Sequence, residues 1–451
     1  MMVLNILIGL VGLGVVVFIH ELGHLLAAKA VGIEVEAFSL GWGRKLVGYT
    51  WHGTEYRISV FPVGGYCKMK GEQSYAAALE NQEDQLPEDP GSFFSAAPWK
   101  RIVTLLAGPV ANLLLAFVIL TVIWWAGFTT ETFQNRIVLA SDYQPSSASE
   151  PLPAESAGLQ TGDYIVGLGS RTVSTYADIQ EIVAQNARTD LQVTYERDGT
   201  RRASTITPAL DEETGAGRIG VFAWVDPVID AVQPGSPAEA AGIQSGDVIL
   251  SIDGTDTPHS LAVGAALSQT DGAAELALRR DDSRIETTVR PNDEGMIGVS
   301  FRTLSVPTPD LSFPQAVAAG VRESFRILSV SVRSLRLLFQ GVQLRSAVAG
   351  PVRISYYIGD VATSGFAVGF AIGLRSLFNF LALLSVVLFF MNLLPIPVLD
   401  GGQIVLSAVE WIRGKAPHPR FIQRYQTVGA VIVFALLFFA IFGDILFIAG
   451  R

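Results

Sequence analysis

The stretch FIHELGHLLAAKA, Phe18 to Ala30, places two histidines and a glutamate at the end of a run from Met1 to Ile19 that contains no charge. On a helix, His20 and His24 are one turn apart and share a face, with Glu21 beside them. His-Glu-x-x-His then offers two imidazoles to one zinc ion and a carboxylate to the water that the metal activates. The bare pattern is permissive. Its placement adds weight, because polar groups at the end of an apolar helix are costly to bury without partners.

The rest of the chain supplies a membrane context. Only 16% of the 451 residues are charged and 49% are apolar, with a mean hydropathy of +0.39. The length suggests two or more domains. A formal net charge of -10 excludes a nucleic-acid partner, since phosphate binding needs a clustered cationic surface. The single cysteine, Cys67, excludes an internal disulfide framework.

Four apolar blocks meet or approach the roughly 20 residues that cross a bilayer core: Met1 to Ala28, Ile102 to Phe128, Ser376 to Leu399, and Tyr425 to Gly443. A shorter, glycine-rich stretch, Val361 to Leu374, reads as a re-entrant or interfacial lead-in. A cleaved signal peptide does not fit the first block, which has no basic leader and exceeds a signal h-region in length.

Basic residues lie between the first two blocks (Lys29, Arg44, Lys45, Arg57, Lys68, Lys70, Lys100, Arg101) and between the last two (Arg413, Lys415, Arg420, Arg424). The positive-inside rule therefore predicts that both connections face the cytoplasm, with the long middle region and both chain ends outside. The first and third spans then run in the same direction and finish near the same face. His20, His24 and Asp400 can meet there.

The middle region contains an internal duplication. LPAESAGLQTGDYIVGL, Leu152 to Leu168, returns as SPAEAAGIQSGDVILSI, Ser236 to Ile252. Each copy reads as a short helix stopped by glycine, a Gly-Asp turn and a strand. GIQSGDVILSIDG is similar to the signature of the PDZ domains of bacterial proteases, which bind extended peptides by strand addition. GRIGVF, Gly217 to Phe222, looks like the opening of the second copy. A size-excluding cap is the alternative role for the pair. Beyond them, Phe313 to Gln340 reads as a basic amphipathic helix, with Phe325, Leu328, Val332, Leu335 and Phe339 on one face and Arg322, Arg326, Arg333 and Arg336 on another. A buried packing helix is the competing reading.

Zinc bound by two histidines needs a third protein ligand. The strong acidic candidate in an apolar context is Asp400, in MNLLPIPVLDGG, Met391 to Gly402. Taken alone, it reads better as a polar residue marking the membrane boundary.

HELGH on the first span, GPVAN (Gly108 to Asn112) on the second and NLLPIPVLDGG (Asn392 to Gly402) on the third together resemble the site-2 protease family of intramembrane zinc metalloproteases. FSLGWG, FPVGGYCKMKGE and the two PDZ-like copies extend the resemblance over the whole chain, closest to the bacterial regulator-of-sigma-E branch. The resemblance implies one zinc ion held by His20, His24 and Asp400, with Glu21 as the catalytic carboxylate. It also implies that Asn112 and Asn392 both lie near the metal, where one or the other donates to the developing oxyanion. The run Glu55 to Glu72 resembles a membrane-dipping hairpin, with Gly64, Gly65, Tyr66 and Cys67 contacting substrate; an ordinary cytoplasmic hairpin is the alternative.

The expected fold class is a polytopic α-helical membrane protein, with four transmembrane helices and two tandem α+β PDZ domains between the second and third spans. The expected segments are a first span at 1–30, a β-rich segment at 31–98 with its hairpin at 55–72, and a second span at 99–128. PDZ domains follow at 129–213 and 214–305, then an amphipathic helix and linker at 306–375. A third span at 376–400, a cytoplasmic loop at 401–424 and a fourth span at 425–449 complete the chain. The expected function is intramembrane cleavage of single-span proteins whose ectodomains are already trimmed, such as an anti-sigma factor in an envelope stress response. A transmembrane protein or peptide substrate, PDZ-bound peptide and membrane lipid are the expected partners. The expected location is the bacterial inner membrane, with PDZ domains and termini periplasmic and the active site toward the cytoplasm. The alternative function is a non-catalytic, membrane-anchored PDZ scaffold.

Overall fold

A computed structural model describes residues 2–71, 75, 77, 79–81, 89–143, 151–211, 214–337 and 350–449. The chain divides into two compact units, Met1–Phe128 with Pro309–Arg451, and Thr129–Thr308. In order, the first unit begins with α1 (Met2–Val31), β1 (Val35–Trp51), β2 (Thr54–Met69) and α2 (Pro98–Ala126). The second unit carries α3 (Tyr176–Gln185) and α4 (Ser260–Ser268) among its strands. The chain then returns with α5 (Phe313–Leu337), α6 (Pro351–Val368), α7 (Phe370–Asn392), α8 (Asp400–Arg413) and α9 (Pro419–Ala449).

Four helices, α1, α2, α7 and α9, are long and apolar enough to cross a membrane. Val16, Ala116, Ile119, Leu120, Leu381 and Val386 form the centre of a core shared by α1, α2 and α7. α6, a further helix of this unit, packs on α1 at very short range. A Cβ on Gly9 would stand 1.8 Å from the Ser355 carbonyl oxygen, and one on Gly359 would stand 1.9 Å from that of Asn5. Small residues allow such backbone approach where lipid supplies no hydrophobic drive between helices. Polar bonds complete the seam: Asn5 donates to Asp360 (3.2 Å), Tyr356 donates to the same carboxylate (3.0 Å), and Thr363 donates to Asn5 (3.1 Å). The other end of α6 is held by Asp444 of α9, which accepts from the backbone N–H groups of Gly350 and Val352.

Several boundaries differ from the sequence-based expectation. The third span is α7, which starts at Phe370 and ends at Asn392 rather than continuing to Asp400. Pro395 and Pro397 follow its end, and proline excludes a helical continuation. Asp400 is instead the first residue of α8. The expected loop at 401–424 is therefore mostly helical, through α8 and the start of α9. The stretch Val361–Leu374 is divided between α6 and α7 rather than forming a separate lead-in.

The β hairpin also differs. Its turn is at His52 and Gly53, both with positive φ (47° and 77°), whereas Gly64 and Gly65 lie within β2. β1 is placed so that Ala37–Leu40 pair with both ends of β2: Ser39 opposes Arg57 on one side and Tyr66 on the other. α5 lies along α2 through Ala316, Gly320 and Ser324, the first and last fully buried, with a Cβ on Gly320 only 2.7 Å from the Thr121 nitrogen. Leu328 packs on the core, but Phe325 and Val332 of the expected apolar stripe are exposed. Phe339 and the side chain of Arg336 lie outside the described residues.

In the second unit, two halves have the same sheet order. Strands Arg171–Thr172, Tyr164–Leu168, Leu191–Arg197 and Thr200–Ile206 make the first sheet. Thr255–Asp256, Val248–Ile252, Ala274–Arg280 and Ser283–Val289 make the second in the same order. The Gly-Asp turns carry matching ion pairs, Asp163 with Arg197 and Asp247 with Arg280, each at 2.7 Å. The stretch Gly217–Phe222 belongs to the first half, not the second. Val221 pairs with Leu139 and Ile219 lies in the first core, so the boundary is later than 213. The corresponding strand of the second half is Val299–Phe301, paired with Ile229–Val232.

Candidate active site

α1 carries both histidines inward: His20 is 9% and His24 5% exposed. Their rings meet edge to face at 4.7 Å between centroids, and their Nε2 atoms are 3.1 Å apart. One helical turn of spacing produces this pairing directly.

α2 orients the imidazoles through a stripe of residues at helical spacing, Thr104, Gly108 and Asn112. The Thr104 carbonyl oxygen lies 2.8 Å from His24 Nδ1 and accepts its proton, which leaves the Nε2 lone pair toward the cluster. Gly108 makes room for the ring, since a Cβ there would stand 2.2 Å from His24 Nε2. Asn112 is fully buried, with its side-chain amide 3.4 Å from His20 Nδ1. Its Oδ1 has no partner as placed with Nδ2 toward the ring. A half-turn of the amide sets Oδ1 to accept from Nδ1–H and leaves His20 Nε2 free as a ligand, the arrangement metal binding requires.

Asp400 reaches the same point from α8. Its Oδ2 lies 3.3 Å from His20 Nε2 and 3.5 Å from His24 Nε2, and this buried oxygen makes no hydrogen bond. The turn after α7 determines that position. Glycine at 401 and 402 lets the start of α8 fold against the chain: added Cβ atoms would stand 2.3 Å from the Leu393 oxygen and 2.1 Å from the Ile396 oxygen. Gln403 donates to the Pro397 carbonyl (2.7 Å), and Tyr425 of α9 donates to that of Gly402 (3.0 Å).

The three donors fit zinc. Bonds of about 2.0–2.1 Å to nitrogen and oxygen in a tetrahedron place neighbouring ligand atoms about 3.3 Å apart. The observed separations are 3.1, 3.3 and 3.5 Å. Three protein ligands also characterise catalytic zinc sites, which keep a fourth position for water or substrate. Among the described residues, His20, His24 and Asp400 are the group of this kind.

Glu21 lies under β2. A Cβ on Gly65 would stand 3.4 Å from Glu21 Cγ, and the Cys67 backbone N–H faces the Glu21 carboxylate. Burial pushes the Cys67 thiol up to about 12, so the free thiol stays protonated at neutral pH. Tyr66 is held by Trp42, at 5.3 Å between rings, and by the Arg57 guanidinium over its face. Gly64 has φ +83°, and Trp42 Nε1 is 2.6 Å from where its Cβ would be. Asn392 ends α7 half-buried and makes no hydrogen bond to the cluster among the described residues. Thr104 was not singled out in the sequence. It acts through a backbone carbonyl, which leaves no side-chain signal.

The model of peptidase family M50 matches residues 8–436 of the chain. The "Putative zinc metalloprotease" of Treponema pallidum is 39% identical over 450 residues, covering 99% of both chains. Proteins of similar name in Rhizobium meliloti and Borreliella burgdorferi are 29% and 27% identical, over 97% and 98% of this chain and 95% and 98% of their own. The family binds zinc, and with four helices of spanning length the protein is membrane-embedded. The chain belongs to peptidase family M50, the site-2 protease family.

Proposed function

We propose that the protein is an intramembrane zinc endopeptidase that cuts peptide bonds in or near the transmembrane segments of single-span membrane proteins. The observation that carries this reading is the meeting of His20, His24 and Asp400 at ligand distances beside Glu21, on helices whose flanks are apolar. A structural zinc site would not need the Glu21 carboxylate.

When bound, zinc acidifies water and polarises the scissile carbonyl. His20, His24 and Asp400 hold the metal, and the Asp400 charge lowers the cost of a dication in a medium of low dielectric. Glu21 takes the proton of the attacking water and delivers it to the leaving amine nitrogen. Asn112 fixes the His20 ring. Either Asn112 or Asn392 donates to the developing oxyanion, and Asn392 has no bond to the cluster among the described residues that would have to be given up.

A helical substrate must unwind first, because its amides are satisfied internally. The β2 segment Gly65–Met69 pairs with β1 along one edge, and its Cys67 N–H looks toward Glu21 from the other. Strand addition there holds the extended substrate across the carboxylate. In the second unit, the halves are PDZ-like domains that screen out bulky ectodomains or bind peptide. The setting is a bacterial inner membrane with this unit periplasmic, and the substrate class includes anti-sigma factors trimmed beforehand.

Glu21→Gln tests the assignment. Turnover of a model transmembrane substrate is expected to fall by about 10²–10⁴-fold, the range for a lost general acid–base group, while zinc stays bound. Undiminished cleavage by that variant overturns the role of Glu21, whereas absence of cleavage by the zinc-loaded wild type favours a scaffold.

A further inference from the structure

The first turn of α2 carries a charge that the metal chemistry does not use. Arg101 is 5% exposed, and its Nη2 donates to Glu410 Oε1 on α8. Its Nε donates to the Ala96 carbonyl at 3.1 Å, so the guanidinium is fixed from two sides. The side chains of the pair are 6% and 13% exposed, in a membrane-embedded unit. A buried ion pair is rarely favoured for stability alone, because desolvation of both charges offsets their attraction. Its best-attested use is to fix register.

The two helices it joins are those that complete the metal centre. Arg101 continues the stripe of Thr104, Gly108 and Asn112, the residues that hold the two imidazoles. Glu410 sits on α8, whose first residue is Asp400. We propose that the Arg101–Glu410 pair is a positioning device that locks the height and rotation of the Asp400 helix against the helix that orients His24. This rests on the reading of His20, His24 and Asp400 as the zinc ligands.

Magnitudes favour the lock. In lipid there is no hydrophobic drive between helices, so packing and interhelical polar bonds set their register. A slip of one residue moves a helix by about 1.5 Å along its axis, whereas zinc tolerates ligand distances within about 0.2 Å. Apolar contacts alone are too permissive for that tolerance. A directional ion pair at the far end of α8 complements the Gln403 and Tyr425 bonds near its start.

The test is zinc affinity of the detergent-solubilised full chain, measured by competition with a chromophoric chelator, alongside the thermal stability of the zinc-stripped protein. Glu410→Ala and Arg101→Met are expected to weaken zinc binding about 10–100-fold, as for other residues that act through ligands. Arg101→Lys is expected to recover most of that loss. Where a lone buried charge prevents folding, Arg101→Met/Glu410→Met removes both charges and is expected to fold and still bind zinc more weakly. Wild-type affinity in that double variant overturns the proposal. So does a loss of stripped-protein stability with zinc affinity unchanged. If Asp400→Asn leaves zinc affinity intact, the ligand assignment itself fails, a result distinct from failure of the ion pair.

Discussion

Asp400 Oδ2 stands 3.3 Å from His20 Nε2, although one residue opens α8 and the other belongs to the first helix of the chain. As a zinc ligand the carboxylate would supply charge as well as a donor atom. Asp400→Asn retains the shape and removes the charge, so a dication would be left with two neutral imidazoles. Zinc content, measured by elemental analysis of the purified protein, is expected to fall well below one ion per chain, with proteolysis lost. Full zinc occupancy in this variant would remove Asp400 from the ligand set.

Gly108 and Gly65 bracket the same centre from opposite sides and should fail differently. A methyl at Gly108 lies 2.2 Å from His24 Nε2, so Gly108→Ala displaces a ligand ring. Its expected signature is zinc affinity weakened by about 10–100-fold, read by chelator competition. Unchanged affinity would show that the ring relocates without cost.

A methyl at Gly65 meets the Ser39 carbonyl oxygen at 2.8 Å and Glu21 Cγ at 3.4 Å, away from the ligands. Gly65→Ala should therefore keep zinc and lower turnover, by shifting β2 and the carboxylate beneath it. Zinc content and cleavage of a model substrate, measured on one preparation, separate the two effects. Loss of metal in Gly65→Ala would contradict the placement of β2 over Glu21 rather than over the ligands.

Much of this centre was legible in the sequence. HELGH fixes a one-turn spacing, so the two imidazoles had to share a face, and the apolar blocks placed that face in the membrane. The prolines at 395 and 397 were equally visible, yet the continuous apolar character of the segment masked the break that puts Asp400 on a new helix. Hydropathy measures burial, not backbone continuity. The seam between α1 and α6 was hidden for a different reason. Gly9 and Gly359 signal close approach only when their partners are known, and those partners are backbone oxygens far away in sequence. The limit of the first half of the second unit was misplaced because Gly217–Phe222 pairs backward, Gly217 and Arg218 with Leu210 and Ala209, Val221 and Phe222 with Leu139 and Val138.

That seam gives a stability prediction. Gly9→Val and Gly359→Ala place carbon within 2 Å of backbone oxygen, and backbone cannot rotate away as a side chain can. Overpacking of this kind costs about 1–3 kcal/mol or more. Each variant should melt earlier than wild type in detergent. Gly264→Ala is the control: glycine there has nothing within 4 Å of an added Cβ, and no comparable loss is expected. Equal melting of Gly9→Val and wild type would mean that α6 does not pack on α1 at this distance.

In the second unit, His259 makes stability depend on pH. Its Nδ1 caps α4 by accepting from the Ala262 N–H (3.3 Å), and its Nε2 lies 3.3 Å from the Tyr143 hydroxyl. The ring is 1% exposed, against Trp224 and Tyr143. Burial, then the positive charge of Arg136, hold its pKa below the usual histidine value, with Asp142 opposing in part. The folded state thus favours neutral imidazole, and the unfolded chain takes up a proton first as pH falls. The stability contributed by neutral His259 is complete above about pH 6.5, the ordinary histidine pKa. It declines from there toward the lower folded-state pKa. Protonation also converts Nδ1 from acceptor to donor and deletes the cap. Hydrogen exchange of the α4 amides in the full chain should quicken between pH 7.5 and 5.5, after correction for intrinsic rates. His259→Asn retains a capping acceptor that does not titrate in this range, and should abolish the effect. If α4 in that variant loosens in acid as much as in wild type, the titration lies elsewhere.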